Sequence, residues 1–148
     1  PPRGHRSVVG ALPQIDFSSI PVSEAAEAIN DAILVVVMLE SPEAIENVDA
    51  IAAVEGVDVL LVGTGDLTME MGIPGKVDSP RVVSAYEKVI SACRAHGKYP
   101  GLGGVYQPDL MERYIGMGMR FILATNDLAM MMQASTQRAS FLRNLSVA

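Results

Sequence analysis

Ile33-Leu34-Val35-Val36-Val37-Met38-Leu39-Glu40-Ser41-Pro42-Glu43 and, further on, Val57-Asp58-Val59-Leu60-Leu61-Val62-Gly63-Thr64-Gly65-Asp66 decide how this chain folds. Each opens with a short, mostly aliphatic run, passes into polar or glycine-rich residues, and is followed by apolar positions at helical spacing. Strands of a parallel sheet, covered on both faces, read this way. Ligands of such sheets bind beyond the carboxyl ends of the strands. Neighbouring strands lie about 4.8 Å apart. If the two runs pair, the carboxylates of Glu40 and Asp66 can reach one hard cation.

Working outward, residues 1–22 are rich in Pro, Gly and Ser without a sustained period and read as an irregular arm. Ser23 is placed to cap a helix over 24–30, and the first strand is expected over 33–39. Ser41-Pro42-Glu43 combines a hydroxyl cap, a proline in the first turn and an acid at the positive end of the dipole. The helix it starts carries Ala44, Ile45, Val48, Ile51 and Ala52 on one side and stops at Gly56. After the second strand, 57–62, a short helical piece over 67–71 leads to a turn at Pro74-Gly75. Ser79-Pro80 caps a longer helix with the stripe Val82, Val83, Tyr86, Val89, Ile90 and Cys93, ending at Gly97. A third strand over 99–104, a helix after Pro108, a fourth strand over 120–125 and a helix over 128–143 complete the pattern. Residues 23–148 are thus four strand–helix units of an α/β protein with no hairpin signal. Two architectures satisfy this order: a small open doubly wound sheet, or half of an eight-stranded barrel. A complete barrel needs about 250 residues.

Composition narrows the function classes. A net charge of −6 argues against nucleic-acid or anionic-membrane binding. No apolar run approaches the roughly 18 residues of a membrane span. Cys93 is the single cysteine, so disulfides and thiolate zinc sites are excluded and a cytoplasmic location is the default.

The stretch from Met38 to Ile51, with Glu40-Ser41-Pro42-Glu43 at its start, and the stretch from Gly56 to Thr68, with Gly63-Thr64-Gly65-Asp66-Leu67, together resemble the HpcH/HpaI aldolases. These are metal-dependent (class II) pyruvate aldolases of the citrate lyase/phosphoenolpyruvate–pyruvate barrel superfamily. Relatives include 2-dehydro-3-deoxyglucarate aldolase, 4-hydroxy-2-oxoheptanedioate aldolase and macrophomate synthase. Pro1-Pro2-Arg3-Gly4-His5-Arg6-Ser7 looks like the segment after the family's fourth barrel strand. Gly118-Met119-Arg120-Phe121-Ile122 and Asn126-Asp127 look like its last strand and helix start.

The resemblance implies a (β/α)8 TIM barrel of which residues 1–148 are the C-terminal half, supplying strands five to eight. The absent initiator Met fits a fragment. It further implies that Glu40 and Asp66 are the metal ligands, for Mg²⁺ or Mn²⁺ or another divalent cation. Thr64, Gly65 and Asp66 would bind substrate, the backbone N–H groups of Gly65 and Asp66 meeting its carboxylate, with Gly65 allowing close approach. The catalytic base His and the orienting Arg would lie upstream, so this chain carries no catalytic residue of its own. The implied reaction cleaves or forms 4-hydroxy-2-oxo acids through a metal-stabilised pyruvate enolate. Its partners are a small 2-oxo acid (pyruvate or oxaloacetate), an aldehyde, and further copies of the chain in a homo-oligomer such as a hexamer. Two departures from the family pattern stand out: Thr64 where many members have Pro, and Met38 where some have Gln. They bear on substrate preference.

Other readings stay open beside this one. A citramalyl- or malyl-CoA lyase or an oxaloacetate decarboxylase would use the same enolate chemistry, although no basic run marks a CoA phosphate site. A half-barrel serving as a metal-binding or assembly module is the non-enzymatic alternative. Asp66 doubles as a helix N-cap candidate, as does Asp127. His96 reads as structural, His5 as undecided, Cys93 as core, and Met130-Met131-Met132 as packing or, by the resemblance, an interface.

Overall fold

A computed structural model describes residues 12–146, so the Pro1–Ser7 motif and His5 lie outside the described residues. The chain forms two compact units that divide after Val35. In the first, a 3-10 turn over Pro13–Ile15 ends at Asp16 and Phe17, both left-handed with φ of 51° and 55°. A helix, α1 (Val22–Ala32), then buries Ala25 and Ile29. Its N-cap is Pro21, with no side-chain cap, so Ser23 lies inside the helix and does not start it. Ile33, Leu34 and Val35 are exposed and outside any strand.

The second unit holds the sheet. β1 (Val36–Leu39), β2 (Val59–Gly63), β3 (Tyr99–Gly103) and β4 (Phe121–Ile122) pair in parallel in the order in which they occur along the chain. A doubly wound sheet reverses its strand order at a switch point. This one never does, which is the winding of a barrel. β1 is shorter than the apolar run suggested because its pairing with β2 begins at Val36↔Val59. β4 is shorter too, since only Phe121 and Ile122 find register partners, Gly101 and Leu102, on β3.

Alternation along the strands divides the sheet into two faces. Leu39, Leu60, Val62 and Leu102 point into a cluster with residues of the connecting helices. Those helices are α2 (Pro42–Glu46), α3 (Val48–Ala52), α4 (Thr64–Glu70), α5 (Pro80–His96) and α6 (Pro108–Met117). The helix expected after Ser41 is thus two, broken at Asn47 (φ −90°, ψ 9°), whose side chain donates to the Glu43 carbonyl at 2.9 Å. Ser41 caps it as its sequence suggests, accepting from the Ala44 amide at 3.1 Å. Ser79 does the same for α5, and Gly97 closes α5 in the left-handed region. His96 bonds Asp49 at 3.0 Å, tying the end of α5 to α3, and so is structural. Cys93 is fully buried, and burial pushes its thiol up to about 11. On the other face, Leu61 of β2 lies over β3, where a Cβ on Gly101 would come within 3.0 Å of it.

The last helix, α7 (Asp127–Arg143), buries none of its residues. Leu128, Met130, Met131, Met132, Phe141 and Leu142 are all exposed, so the methionine run is not packed into the described core. Its cap is Asn126, one residue before the expected Asp127, and accepts from the Ala129 amide at 2.8 Å.

Candidate active site

Both sequence-derived acids stand at the carboxyl end of the sheet. Glu40 follows the last residue of β1, and the pairing Leu39↔Val62 brings it opposite Gly63, the last residue of β2. The glycine is required there. A Cβ on Gly63 would lie 2.6 Å from Glu40 Oε1 and 2.7 Å from its Cγ. The Glu40 side chain therefore crosses the end of β2, in the space the missing side chain leaves.

Asp66 follows three residues later. α4 begins at Thr64, earlier than the sequence suggested, and Gly63 is its N-cap, with no side-chain bond. Asp66 thus lies within the first helical turn and is not the cap. The Gly65 and Asp66 amides belong to the same turn, where no carbonyl lies one turn back to receive them. A Cβ on Gly65 would meet nothing within 4 Å, so the space beside it is open. The protein's own close approach occurs at Gly104 (φ +81°), where a Cβ would come 3.1 Å from the Gly65 amide nitrogen.

Among the described residues, neither Glu40 nor Asp66 has a hydrogen-bond or ion-pair partner, and Glu40 is half-buried while Asp66 is exposed. No group of three or more His, Cys, Asp or Glu side chains gathers among those residues. The donor set is two carboxylates. That set fits Mg²⁺ or Mn²⁺, hard ions held by one or two carboxylates with remaining positions left to water and substrate oxygens. It does not fit structural zinc, which takes a closed set of nitrogen and sulfur donors.

Thr64 has a role the sequence did not disclose. Its side chain is fully buried, and its hydroxyl lies 2.6 Å from the Gly103 carbonyl and 2.5 Å from the Tyr86 phenol. Tyr86 had read only as part of an apolar stripe. Its ring stacks on Tyr114 at 4.3 Å between centroids, and the Tyr114 hydroxyl donates to the Val77 carbonyl at 2.6 Å. The clue available beforehand was a polar residue, Thr64, in a glycine-bounded turn where the resembled family often has proline.

Comparison with known proteins identifies the family of the chain. Residues 1–137 match the family model described as HpcH/HpaI aldolase/citrate lyase. The chain is 45% identical over 130 residues to the 4-hydroxy-4-methyl-2-oxoglutarate aldolase tasA of Hapsidospora irregularis, covering 86% of this chain and 48% of that protein. It is 36% identical over 150 residues to the 4-hydroxy-2-oxo-heptane-1,7-dioate aldolase of Salmonella paratyphi C, covering 99% of this chain and 56% of that protein. The crystal structure of an HpcH/HpaI aldolase from Desulfitobacterium hafniense superposes with a TM-score of 0.81 at 29% identity, over 99% of this chain and 56% of that one. The chain spans about half the length of the curated relatives it matches.

Proposed function

The chain belongs to the HpcH/HpaI aldolase/citrate lyase family, and on that premise we propose that it is the metal-binding half of a class II aldolase acting on 4-hydroxy-2-oxo acids. In this reading residues 1–148 are the C-terminal half of one (β/α)8 barrel and β1 to β4 are its strands five to eight. The observation that carries it is the placement of two carboxylates, Glu40 and Asp66, at adjacent strand ends and without a partner among the described residues, with Gly63 leaving room for one of them.

Glu40 and Asp66 hold a divalent cation, Mg²⁺ or Mn²⁺. When bound, the cation supplies the positive charge that stabilises the enolate of a 2-oxo acid as a carbon–carbon bond breaks or forms. The chain's own contribution is positional. Glu40, confined between β1 and the end of β2, fixes one carboxylate, and the first turn of α4 fixes the other. The Gly65 and Asp66 amides, pointing out of that turn, orient the carboxylate of pyruvate or oxaloacetate. Thr64 serves from beneath, because its hydroxyl faces the interior. The base His and orienting Arg belong to earlier strands, and the aldehyde is the second substrate.

The assembly we propose is a homo-oligomer, a hexamer in the fullest form, with the exposed α7 contributing to subunit contacts. Among the described residues no helix is long and apolar enough to cross a membrane, and the proposed location is the cytoplasm. In the intact protein, Glu40→Ala and Asp66→Ala are each expected to abolish metal-dependent release of pyruvate from a 4-hydroxy-2-oxo acid. Activity that survives both substitutions would refute the proposal.

A further inference from the structure

Thr64 and Thr68 are both fully buried, and both lie on α4, on either side of Asp66. Each hydroxyl serves the backbone around that turn. Thr68 donates to the Gly65 carbonyl at 2.8 Å and accepts from the Gly75 amide at 3.2 Å. Thr64 donates to the Gly103 carbonyl at the end of β3, at 2.6 Å. A hydroxyl has one proton. With that proton on Gly103, the 2.5 Å contact with Tyr86 has the phenol as donor. The order is therefore Tyr86 to Thr64 to Gly103, running from α5 through the start of α4 to the neighbouring strand end.

This chain of bonds has work to do because α4 cannot orient itself. It spans seven residues and has no side chain capping its start. Helices this short are marginal in water, so their position comes from tertiary contacts. Burial also keeps the Tyr86 phenol protonated by raising its pKa well above the ordinary tyrosine value, which preserves the donor.

Resting on the metal-site reading above, we infer that Thr64 and Tyr86 are positioning residues. Their buried hydrogen bonds set the angle at which α4 presents Asp66 and the Gly65 amide to the cation and the substrate carboxylate. Neither residue touches the cation itself. Proline in place of Thr64 would stiffen the turn without any bond to α5 or to β3. In this chain the same turn is held by a tether.

The test is Mn²⁺ titration of the intact protein by calorimetry, together with steady-state kinetics, at a temperature where every variant is folded. Tyr86→Phe and Thr64→Val are expected to weaken Mn²⁺ binding on the order of 10-fold, the range for groups that orient metal ligands, and to raise KM for the oxo acid. Thr64→Ser, which keeps the hydroxyl, is expected to stay within about 2-fold of the parent by the same argument. Tyr114→Phe removes a buried phenol from the same aromatic pair but breaks only the bond to Val77. It is expected to lower Tm while leaving Mn²⁺ affinity unchanged. Should Thr64→Val fail to fold, Tyr86→Phe, which retains the ring and its stacking, decides alone. Unchanged affinity in Tyr86→Phe overturns the inference if Glu40→Gln, run in parallel, abolishes binding. If Glu40→Gln leaves Mn²⁺ binding intact, the carboxylate site itself is wrong and the inference falls with it.

Discussion

α5 and α7 are both 17 residues long, and both open on a side-chain cap, Ser79 in one and Asn126 in the other. Locally they are matched. Yet α5 buries Val82, Ala85, Tyr86, Val89, Ile90, Ala92 and Cys93, and α7 buries nothing. The apolar residues of α5 recur at intervals of three and four and form one stripe, which packs into the core. In α7, Leu128, Met131, Met132 and Leu142 also fall within about 100° of one another, with Met130 and Phe141 on the opposite side, yet all of them are exposed. Caps, length and an apolar stripe decide that a helix forms; burial needs a partner face as well.

The same substitution in each helix sharpens the contrast most. Val89→Glu would bury a carboxylate without a partner and is expected to cost more than about 4 kcal/mol, enough to abolish cooperative folding in a urea titration. Met131→Glu, on the exposed helix, is expected to change fold stability by less than about 0.5 kcal/mol, while light scattering shows a smaller assembly. Equal losses from the two changes would break the comparison.

A second test uses pH. Burial raises the Cys93 thiol from near 9 to about 11, and α7 contains no thiol. The unfolded chain gives up that proton at lower pH than the folded one, so the stabilisation is complete below about pH 9 and is lost as pH rises through about 11. Tyr86 and Tyr114, whose phenols burial also raises, act with the same sign. Alkaline unfolding followed by circular dichroism is expected to show a shallower pH dependence in Cys93→Ala than in the parent. An identical slope would place the thiol outside the core.

The smallest effect concerns the caps. Ser79→Ala and Asn126→Ala each remove one bond to the first turn, worth about 1 kcal/mol. In α5 that loss is expected in the global unfolding free energy. In α7 it is expected only as faster amide exchange within residues 127–143, since the helix adds no residue to the core formed by the described residues.

Legibility in the sequence followed the range of the interactions. Ser41, Ser79 and Gly97 announced their helix ends because capping involves residues three or four apart. The length of β1 was misjudged because a strand ends where its partner's register ends, and nothing in Ile33-Leu34-Val35 reports where Val59 lies. Glu40 and Asp66 were legible as candidates because strand ends in a parallel sheet converge. The bond between Thr64 and Tyr86 was not, since it joins residues 22 positions apart whose meeting depends on how α5 lies on the sheet.

Gly63 has a consequence for how this sequence can change over generations. Every single-nucleotide change that replaces a glycine codon's amino acid adds at least a β-carbon. At this position that atom would come 2.6 Å from the Glu40 carboxylate oxygen, too close for both to stay. No one-step missense change at Gly63 leaves Glu40 where it stands, so the place of the acid depends on a residue that carries no charge of its own.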